Sequence, residues 1–520
     1  MDLESLRKEL SENGQEHLLQ FWDTLDEEKK QSLYSDLKNL DYAKNNIYFK
    51  RCMESLKLAG EKLDDHLQPP PPEVCGSFLD TDKETLKKYE EDGLRLVSDN
   101  KIAVLLLAGG QGTRLGVNYP KGMYNVGLPS EKTLYQLQAE RILKLQQLGK
   151  EVTGKEGIVP WYIMTSESTK EPTKAFFEKH NYFGLKEENV VFFEQYTLPC
   201  MSFDGKVILE KPHKVARAPD GNGGLYKALG SRGVMDDLVK RGIKYVHVYC
   251  VDNILVKMAD PIFIGFCISK GAICGAKVVK KAFPKEAVGV VCKVDGQYQV
   301  VEYSEITPST AEKKNPNGTL MFNAGNICNH FFTVDFLQYV VKDHQDELEH
   351  HVAKKKIPTI DVSGNPVKPT EPNGIKMEKF VFDVFKFASD SNFAVWEVPR
   401  EDDFSPLKNA DGQPKDTPTT CREHLYNLHT RNIQAAGGKF CKKDGTLISN
   451  IPSITNGTNG VQNDGSGDHD NEAMVVEVSP LVSYAGEGLE KLVAGKSFVP
   501  PLSIYAPGEK DQEIVCALIK

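Results

Sequence analysis

The amino-acid sequence predicts an α/β protein with a central, mostly parallel sheet flanked by helices. Two observations predict this fold class. Between about residues 100 and 390, short apolar runs alternate with longer stretches whose apolar residues recur at helical spacing. The apolar runs are hydrophobic at consecutive positions, as expected for strands that are buried on both faces. Strand and helix repeated in this order give a parallel sheet with helices on its faces.

The central region, residues 99–394, carries the elements of this sheet. Strands buried on both faces are predicted at Ile102–Leu107, Trp161–Met164, Val190–Phe193 and Tyr245–Val251. The helical spacing of Leu134 to Leu148 predicts a helix that ends at Gly149. Apolar runs on both sides of Asp295-Gly296, at Val288–Val294 and Gln297–Tyr303, predict an antiparallel hairpin.

The two ends of the chain differ from this pattern. Residues 1–98 read as a helical region in which Leu18, Phe21, Trp22 and Leu25 share one helix face, and which includes the linker Pro69–Pro72. Residues 395–520 read as a small β-rich C-terminal domain with strands at Met474–Val478 and Leu502–Tyr505. The Asn-, Gly- and Asp-rich segment 455–472 predicts a mobile loop.

Composition narrows the class of protein. The net charge of -9 argues against nucleic-acid or membrane-surface binding, because either function favours a basic face. No apolar run approaches the roughly 20 residues of a transmembrane helix, and the N-terminus is charged where a signal peptide is apolar. The 11 cysteines form no C-x-x-C pair, which favours reduced thiols. We therefore expect a cytoplasmic protein, with homo-oligomer formation left open by the sequence.

The strongest local feature is the glycine-rich segment Leu107–Gly116, which directly follows the predicted strand Ile102–Leu107. Glycines let backbone N–H groups approach an anion, and Arg114 adds a permanently charged donor for phosphate oxygens. The segment lacks the lysine of a P-loop and the spacing of a dinucleotide-binding loop. Pro120-Lys121-Gly122 follows closely, and its lysine is a candidate second cation. These features predict a nucleotide-phosphate site.

Asp252 follows the predicted strand Tyr245–Val251. Ligands of open α/β sheets bind at the carboxyl ends of strands, where one carboxylate suits Mg²⁺. A residue that only caps the next turn is the alternative at this position.

Taken together, the motifs resemble the signature of eukaryotic UDP-sugar pyrophosphorylases, in particular those that use N-acetylglucosamine 1-phosphate. The resemblance covers nearly the whole chain and implies a Rossmann-like nucleotidyltransferase fold. The segments that carry it are Leu107–Leu115, Pro120–Gly122, Ala218–Gly224, Val251–Asn253, Asn323–Asn326 and Ser405–Asn409.

The resemblance also implies roles for individual residues. The expected nucleotide contacts are Leu107, Ala108, Gly109, Gly110, Gln195 and Gly221. The expected sugar contacts are Asn222, Glu302, Tyr303 and Asn326, the last of which follows a predicted strand at Leu320–Phe322. The catalytic cations are Arg114, Lys121, Lys376 and Lys408, and Asp252 is the ligand of Mg²⁺ or Mn²⁺. Without the resemblance, Gln195 reads as an ordinary exposed residue.

The expected reaction is in-line attack of a sugar 1-phosphate on UTP with release of pyrophosphate. Two alternatives stay open at this point. One is the same chemistry on the 1-phosphate of N-acetylgalactosamine, glucose or galactose. The other is a catalytically silent protein that keeps the fold and binds nucleotide sugars. The joint presence of Arg114, Lys121, Asp252, Lys376 and Lys408 favours an enzyme, because binding alone does not need every one of these charges.

Overall fold

The computed structural model describes residues 2–58, 63–448, 474–510 and 514–518. The chain divides into two compact units, each assembled from separate stretches. The smaller unit comprises Met1–Asp65, Gln195–Ser231 and Val340–Val384. The larger unit comprises His66–Glu194, Arg232–Tyr339 and Phe385–Lys520. The boundaries at residues 98 and 394 stay predictions from the sequence.

The larger unit is built on a central sheet flanked by helices, and the predicted α/β class is confirmed. Ala324–Thr333 is antiparallel to both of its neighbours, and the other neighbouring pairs run parallel. The strands lie side by side in the order Cys75–Ser77, Phe393–Val398, Cys274–Lys280, Ala324–Thr333, Tyr245–Cys250, Ile102–Leu107, Trp161–Thr165, Val190–Glu194.

The predicted hairpin is an extension of this sheet. Strands Val290–Val294 and Gln297–Val301 pair across the turn at Asp295 and Gly296, both of which have positive φ. Val290 also pairs with Gly325 of the central sheet, and the short strand Leu67–Gln68 pairs with Val294 and Lys293 of the same hairpin strand. The antiparallel insertion that the sequence predicts is therefore present.

Helices cover the sheet and complete its core. Val104 and Trp161 of the sheet pack with Tyr135 and Phe177 of the helices, and all four side chains are fully buried. The α-helices of the larger unit are Lys83–Ser98, Leu134–Thr153, Lys170–Lys179, Val234–Lys240, Pro261–Ser269, Pro308–Ala311, Val334–Tyr339, Arg400–Asp403, Pro418–Ala435 and Glu490–Val493. None of the helices that the structure describes is long and apolar enough to cross a membrane.

One helix end was predicted wrongly. The helix that begins at Leu134 passes through Gly149 and ends at Thr153. Gly149 is required for packing, since a Cβ there would lie 2.8 Å from the Ser98 hydroxyl oxygen. The terminating glycine is Gly154, whose φ of 74° is the left-handed conformation that closes a helix.

A second, smaller sheet lies near the C-terminus of the larger unit. Its strands are Lys439–Phe440, Val476–Val478, Ser497–Ile504 and Ile514–Leu518. Val476–Val478 lies within the strand predicted at Met474–Val478, and Ser497–Ile504 overlaps the strand predicted at Leu502–Tyr505. The predicted loop at 455–472 lies outside the described residues.

The smaller unit joins N-terminal helices to short strands. The helices are Leu3–Glu12, Glu27–Lys38, Tyr42–Leu58 and Leu225–Ser231. The strands are Thr197–Pro199, Met201–Ser202, Leu209–Lys211, Lys214–Val215, Arg217–Pro219, His351–Lys355, Thr359–Ile360, Pro366–Val367 and Gly374–Glu378. Its core includes Leu18, Trp22, Leu33, Met201 and Ile375, which are all buried.

The helix face predicted for Leu18, Phe21, Trp22 and Leu25 is not present. The segment forms two short 3₁₀ turns, Glu16–Leu19 and Trp22–Thr24. Contacts within the smaller unit account for this, because the Gln15 amide accepts a hydrogen bond from the Val207 N–H (2.9 Å) and donates one to the Gly205 carbonyl (2.9 Å). Tertiary contacts here override a helical pattern.

Candidate active site

The glycine-rich segment forms a closed loop at the carboxyl end of the strand Ile102–Leu107. The N–H of Gly112 donates to the Tyr119 carbonyl at 3.0 Å, and the N–H of Lys121 donates to the Gly110 carbonyl at 3.3 Å. The loop thereby folds back on the segment that carries Lys121. Gly110 is exposed, and a Cβ there would touch nothing within 4 Å, so its backbone faces open space that a ligand can enter.

Gly122 fixes the position of the neighbouring lysine. A Cβ on Gly122 would lie 2.2 Å from the ring of Tyr135, so the backbone passes directly over that buried ring. Gly116 has a φ of 79°, a left-handed conformation that closes the turn after Arg114. Both glycines are needed for the local backbone conformation, which positions the backbone of Arg114 and Lys121.

Lys121, Asp252 and Lys408 are brought together by the segment that contains Leu407. The N–H of Leu407 donates to the Asp252 carbonyl at 2.8 Å, and the Lys121 ammonium donates to the Leu407 carbonyl at 3.0 Å. The N–H of Ala410 donates to the carbonyl of Arg114 at 3.2 Å. Four residues predicted from distant parts of the sequence therefore occupy one neighbourhood at the carboxyl edge of the sheet.

Asn253 holds this arrangement in place, and the sequence prediction assigned it no role. Its side chain is 4% exposed. The amide oxygen accepts from the N–H of Ser405 at 2.9 Å and of Leu255 at 3.2 Å. The amide nitrogen donates to the Asp403 carbonyl at 2.7 Å. One buried amide thus ties the Asp252 segment to the Lys408 segment.

Glu302 and Asn326 meet at Gly289. The N–H of Asn326 donates to the Gly289 carbonyl at 2.8 Å, and a Cβ on Gly289 would lie 2.8 Å from a Glu302 carboxylate oxygen. Lys281, only 7% exposed, has its pKa lowered by burial, with the charges of Glu286 and Glu302 acting in the opposite direction. Neither Gly289 nor Lys281 carries a signal in the sequence.

The prediction of a strand at Leu320–Phe322 is wrong. Leu320 makes an isolated bridge with Lys314, Met321 and Phe322 form a bend, and Asn326 lies inside the strand Ala324–Thr333. The sequence does not indicate this strand, because asparagine and glycine are poor strand formers. Pairing with Cys274–Lys280 holds the segment in the sheet. Tyr303 starts a 3₁₀ turn, and its side chain lies outside the described part of the structure.

The remaining predicted residues belong to the smaller unit. Gly221 has a φ of 82°, and a Cβ there would lie 2.3 Å from the Lys379 carbonyl oxygen. The Asn222 amide oxygen accepts from the N–H of Val381 at 2.9 Å. The strand Gly374–Glu378 carries Lys376, so this lysine lies a few residues along the chain from those contacts.

Gln195 departs from its expected exposure. The side chain is 6% exposed, which corrects the reading of an ordinary surface residue. Buried amides are found where the fold or a ligand provides hydrogen-bond partners. The residue type alone does not indicate burial, and only the resemblance predicted a role for Gln195.

Asp220, next to Gly221, was not predicted from the sequence. One of its carboxylate oxygens, Oδ1, is buried and accepts no hydrogen bond from the described residues. Burial raises the pKa of Asp220 to about 7, while its own N–H and the charges of Lys227 and Lys379 act to lower it. It lines a cavity of about 260 Å³ within the smaller unit. Its signal in the sequence is only its place in the motif Ala218–Gly224.

Comparison with known proteins decides the family. The protein-family model described as UTP–glucose-1-phosphate uridylyltransferase matches residues 45–452 of this chain. The chain belongs to this family. The resemblance to UDP-sugar pyrophosphorylases that the motifs predict is thereby confirmed.

Individual relatives of this uridylyltransferase family cover nearly the full chain. UDP-N-acetylhexosamine pyrophosphorylase-like protein 1 of Xenopus tropicalis is 57% identical over 95% of this chain and 94% of its own length. UDP-N-acetylglucosamine diphosphorylase 2 of Arabidopsis thaliana is 42% identical over 96% and 94% of the two chains. The crystal structure of uridine diphosphate N-acetylglucosamine pyrophosphorylase from Trypanosoma brucei with an inhibitor is 30% identical, covers 94% of each chain and has a TM-score of 0.76.

The donor set around Asp252 fits a substrate-bound Mg²⁺ ion. Among the described residues, no group of three or more His, Cys, Asp or Glu side chains is arranged to hold a metal by itself. Mg²⁺ is commonly bound by one or two carboxylates together with substrate phosphates and waters. Asp252 is partly exposed and follows a strand that pairs with Ile102–Leu107, the strand before the glycine-rich loop, and its carboxylate matches that requirement.

Proposed function

We propose that the chain transfers the uridylyl group of UTP to N-acetylglucosamine 1-phosphate, giving UDP-N-acetylglucosamine and pyrophosphate. The observation that carries the proposal is the convergence of the glycine-rich loop, Lys121, Asp252 and Lys408 at one edge of the sheet. Membership of the uridylyltransferase family and relatives named for N-acetylglucosamine support the same reaction.

The reaction needs alignment and positive charge and no general base. A phosphate monoester has a second pKa of about 6, so the sugar phosphate is already a nucleophile at neutral pH. Two unit charges 4 Å apart repel by about 4 kcal/mol at an effective dielectric of 20, so two anions must be held against their repulsion. The chain's contribution is therefore to place cations around an in-line attack.

Each cation of the larger unit has a proposed place in this attack. Arg114 holds the departing phosphates, Lys121 the α-phosphoryl group and Lys408 the attacking sugar phosphate. Asp252 would hold Mg²⁺ or Mn²⁺, which neutralises phosphate charge when it is bound. The Leu407 carbonyl that accepts from Lys121 limits the side-chain positions open to this lysine before substrate arrives.

The residues of the smaller unit keep the roles that the resemblance implies. Gln195 contacts the uracil edge, Gly221 the nucleotide, Asn222 the sugar and Lys376 the triphosphate. The Val381 N–H fixes the Asn222 amide oxygen, so Asn222 presents a defined orientation to its ligand.

Sugar recognition is proposed for Glu302, Tyr303 and Asn326 of the larger unit. The carboxylate of Glu302 and the backbone of Asn326 both adjoin Gly289, where a Cβ would clash with the Glu302 carboxylate. Carboxylate and amide groups suit sugar hydroxyl groups as hydrogen-bond partners. We propose that the protein acts in the cytoplasm, in line with its acidic, cysteine-containing sequence.

A pyrophosphate-release assay tests the function. UTP is combined with the 1-phosphates of N-acetylglucosamine, N-acetylgalactosamine, glucose and galactose, with and without Mg²⁺. Release that is fastest with N-acetylglucosamine 1-phosphate and depends on Mg²⁺ supports the proposal. Faster release with another sugar selects the same chemistry on that substrate, and no release with any sugar supports a silent binding protein.

Variants of two exposed arginines separate transfer from folding. Arg114→Ala is expected to lower kcat/KM by about 10²-fold or more, because it removes a cation that faces developing phosphate charge. Arg95→Ala is the matched control, since this exposed arginine lies on the helix Lys83–Ser98 beside Glu91. Equal kcat/KM for the two variants would contradict the role of Arg114.

A further inference from the structure

Two cysteine side chains meet on neighbouring strands of the central sheet. Cys250 ends the strand Tyr245–Cys250, and Cys328 lies within Ala324–Thr333. The two strands are antiparallel, and the last paired residues, Tyr249 and Asn329, bring Cys250 and Cys328 opposite each other. The two sulfur atoms are 3.1 Å apart. A disulfide has an S–S distance of about 2.05 Å, so roughly 1 Å of closure joins them.

The backbone of Cys328 is shaped for this approach. Its φ of 51° is a left-handed conformation that residues other than glycine seldom adopt. The Asn326 amide oxygen accepts from the Cys328 N–H at 3.1 Å and holds this conformation. The register with Cys274–Lys280 shifts at the same place, which marks a β-bulge. Bulges redirect side chains out of the regular alternation of a strand.

Access also distinguishes this pair. Cys250 and Cys328 are both partly exposed. Cys75 is also partly exposed, and its sulfur lies 4.0 Å from the Pro70 carbonyl oxygen. The other described cysteines are buried: Cys52, Cys200, Cys267, Cys274, Cys292, Cys421 and Cys441. By residue exposure, the pair is therefore more open to a small oxidant than these seven buried cysteines.

We infer that Cys250 and Cys328 are a reversible modification site, where a peroxide oxidises the two thiols to a disulfide and slows uridylyl transfer. The Cys328 sulfur attacks one peroxide oxygen, giving a sulfenic acid and one water. The Cys250 sulfur then attacks the sulfenic sulfur, forming the S–S bond and releasing a second water. Two thiols are oxidised and one hydrogen peroxide is reduced, and a dithiol reductant reverses the change.

The location of the pair links its oxidation to the site. Asp252 follows Cys250 by two residues, and Asn326 precedes Cys328 by two residues. Closing the sulfur–sulfur gap pulls together the strand ends that carry the proposed metal ligand and a proposed sugar contact. A displacement of about 1 Å in a reacting group can cost 10²-fold in rate. The effect on rate rests on the proposed function, whereas formation of the disulfide does not.

Peroxide titration of the full-length, reduced protein tests the inference. Samples are quenched with a thiol-alkylating reagent, digested without reduction, and mapped by mass spectrometry for a peptide that joins Cys250 to Cys328. The initial rate of UDP-sugar formation is measured on the same samples, before and after dithiothreitol. Cys328→Ser and Cys250→Ser remove the pair, and Cys75→Ser is the control for another partly exposed thiol.

The expected result is a cross-linked peptide whose yield parallels a rate loss of about tenfold or more. Dithiothreitol restores the rate, and Cys328→Ser and Cys250→Ser keep their rate in peroxide while Cys75→Ser behaves as wild type. Oxidation of Cys75 without the cross-link overturns the site. A cross-link with an unchanged rate overturns the effect on transfer. If the reduced protein has no transferase activity, the proposed function fails, and the peptide map alone decides whether the site exists.

Discussion

Replacement of Asn253 by alanine tests how the candidate site is held together. The buried side chain makes three hydrogen bonds, to the backbones of Ser405, Leu255 and Asp403. Each such bond contributes about 0.5–1.5 kcal/mol net, so Asn253→Ala should lower the free energy of unfolding by about 1.5–4.5 kcal/mol. Urea unfolding followed by tryptophan fluorescence measures this change, with the exposed Asn39→Ala as control.

The same substitution should also act on the reaction. The amide joins the segment of Asp252 to that of Lys408, so its loss lets the two segments move apart. We expect kcat/KM to fall by about 10²-fold at a temperature where the variant stays folded. Unfolding free energy within about 0.5 kcal/mol of wild type, together with kcat/KM within about twofold, would refute the reasoning.

Three further substitutions have defined outcomes. Wild type loses stability as pH rises from the unfolded pKa of Asp220, about 3.9, to its folded pKa of about 7. Asp220→Asn removes this loss and should therefore stabilise the protein by about 2–3 kcal/mol more at pH 8 than at pH 5. Thermal melts at the two pH values measure the difference, and equal shifts would contradict it. Lys277→Met removes the buried ammonium that pairs with the carboxylates of Asp260 and Asp403, of which Asp403 keeps its ion pair with Lys257. Because the Asp260 carboxylate is buried and loses its ion pair with Lys277, the substitution should cost about 3–5 kcal/mol in urea unfolding; a cost below about 1 kcal/mol would contradict it. Gly122→Ala places a methyl group against the Tyr135 ring and should cost about 1–3 kcal/mol and lower kcat/KM; unchanged stability and rate would show that the close approach is not needed.

The central strands could be predicted because burial on both faces leaves a direct trace in the sequence. Ile102–Leu107 is hydrophobic at every position, and its observed bounds equal the predicted ones. The end of the Leu134 helix could not be predicted in the same way. A glycine that ends a helix and a glycine that admits a neighbouring helix look alike in sequence, and only Ser98 beside Gly149 distinguishes them.

The candidate site was predictable in part. The loop before Arg114 and the lysine at 121 stand out by residue type and spacing, so physical chemistry alone indicates phosphate binding. Asn253 is different, because its importance comes from three backbone partners that only the fold brings within reach. Cys250 and Cys328 are likewise far apart in sequence, and strand pairing alone makes them neighbours.

The residues of the smaller unit show the limit of residue-type reasoning. Gln195 gives no local signal of burial, and its 6% exposure follows from the surrounding fold. The raised pKa of Asp220 depends on desolvation, a property of the packed structure. Roles for both residues need either a relative's motif or the folded chain.

Transfer of the labelled α-phosphate tests the central claim most directly. The protein is incubated with UTP labelled at the α-phosphorus, N-acetylglucosamine 1-phosphate and Mg²⁺, and the products are separated by chromatography. The account predicts that the label appears in UDP-N-acetylglucosamine in equal amount to the pyrophosphate released, and that Arg114→Ala largely abolishes both. Label that stays in UTP, or that appears only in UMP, would contradict the claim that this chain is a uridylyltransferase.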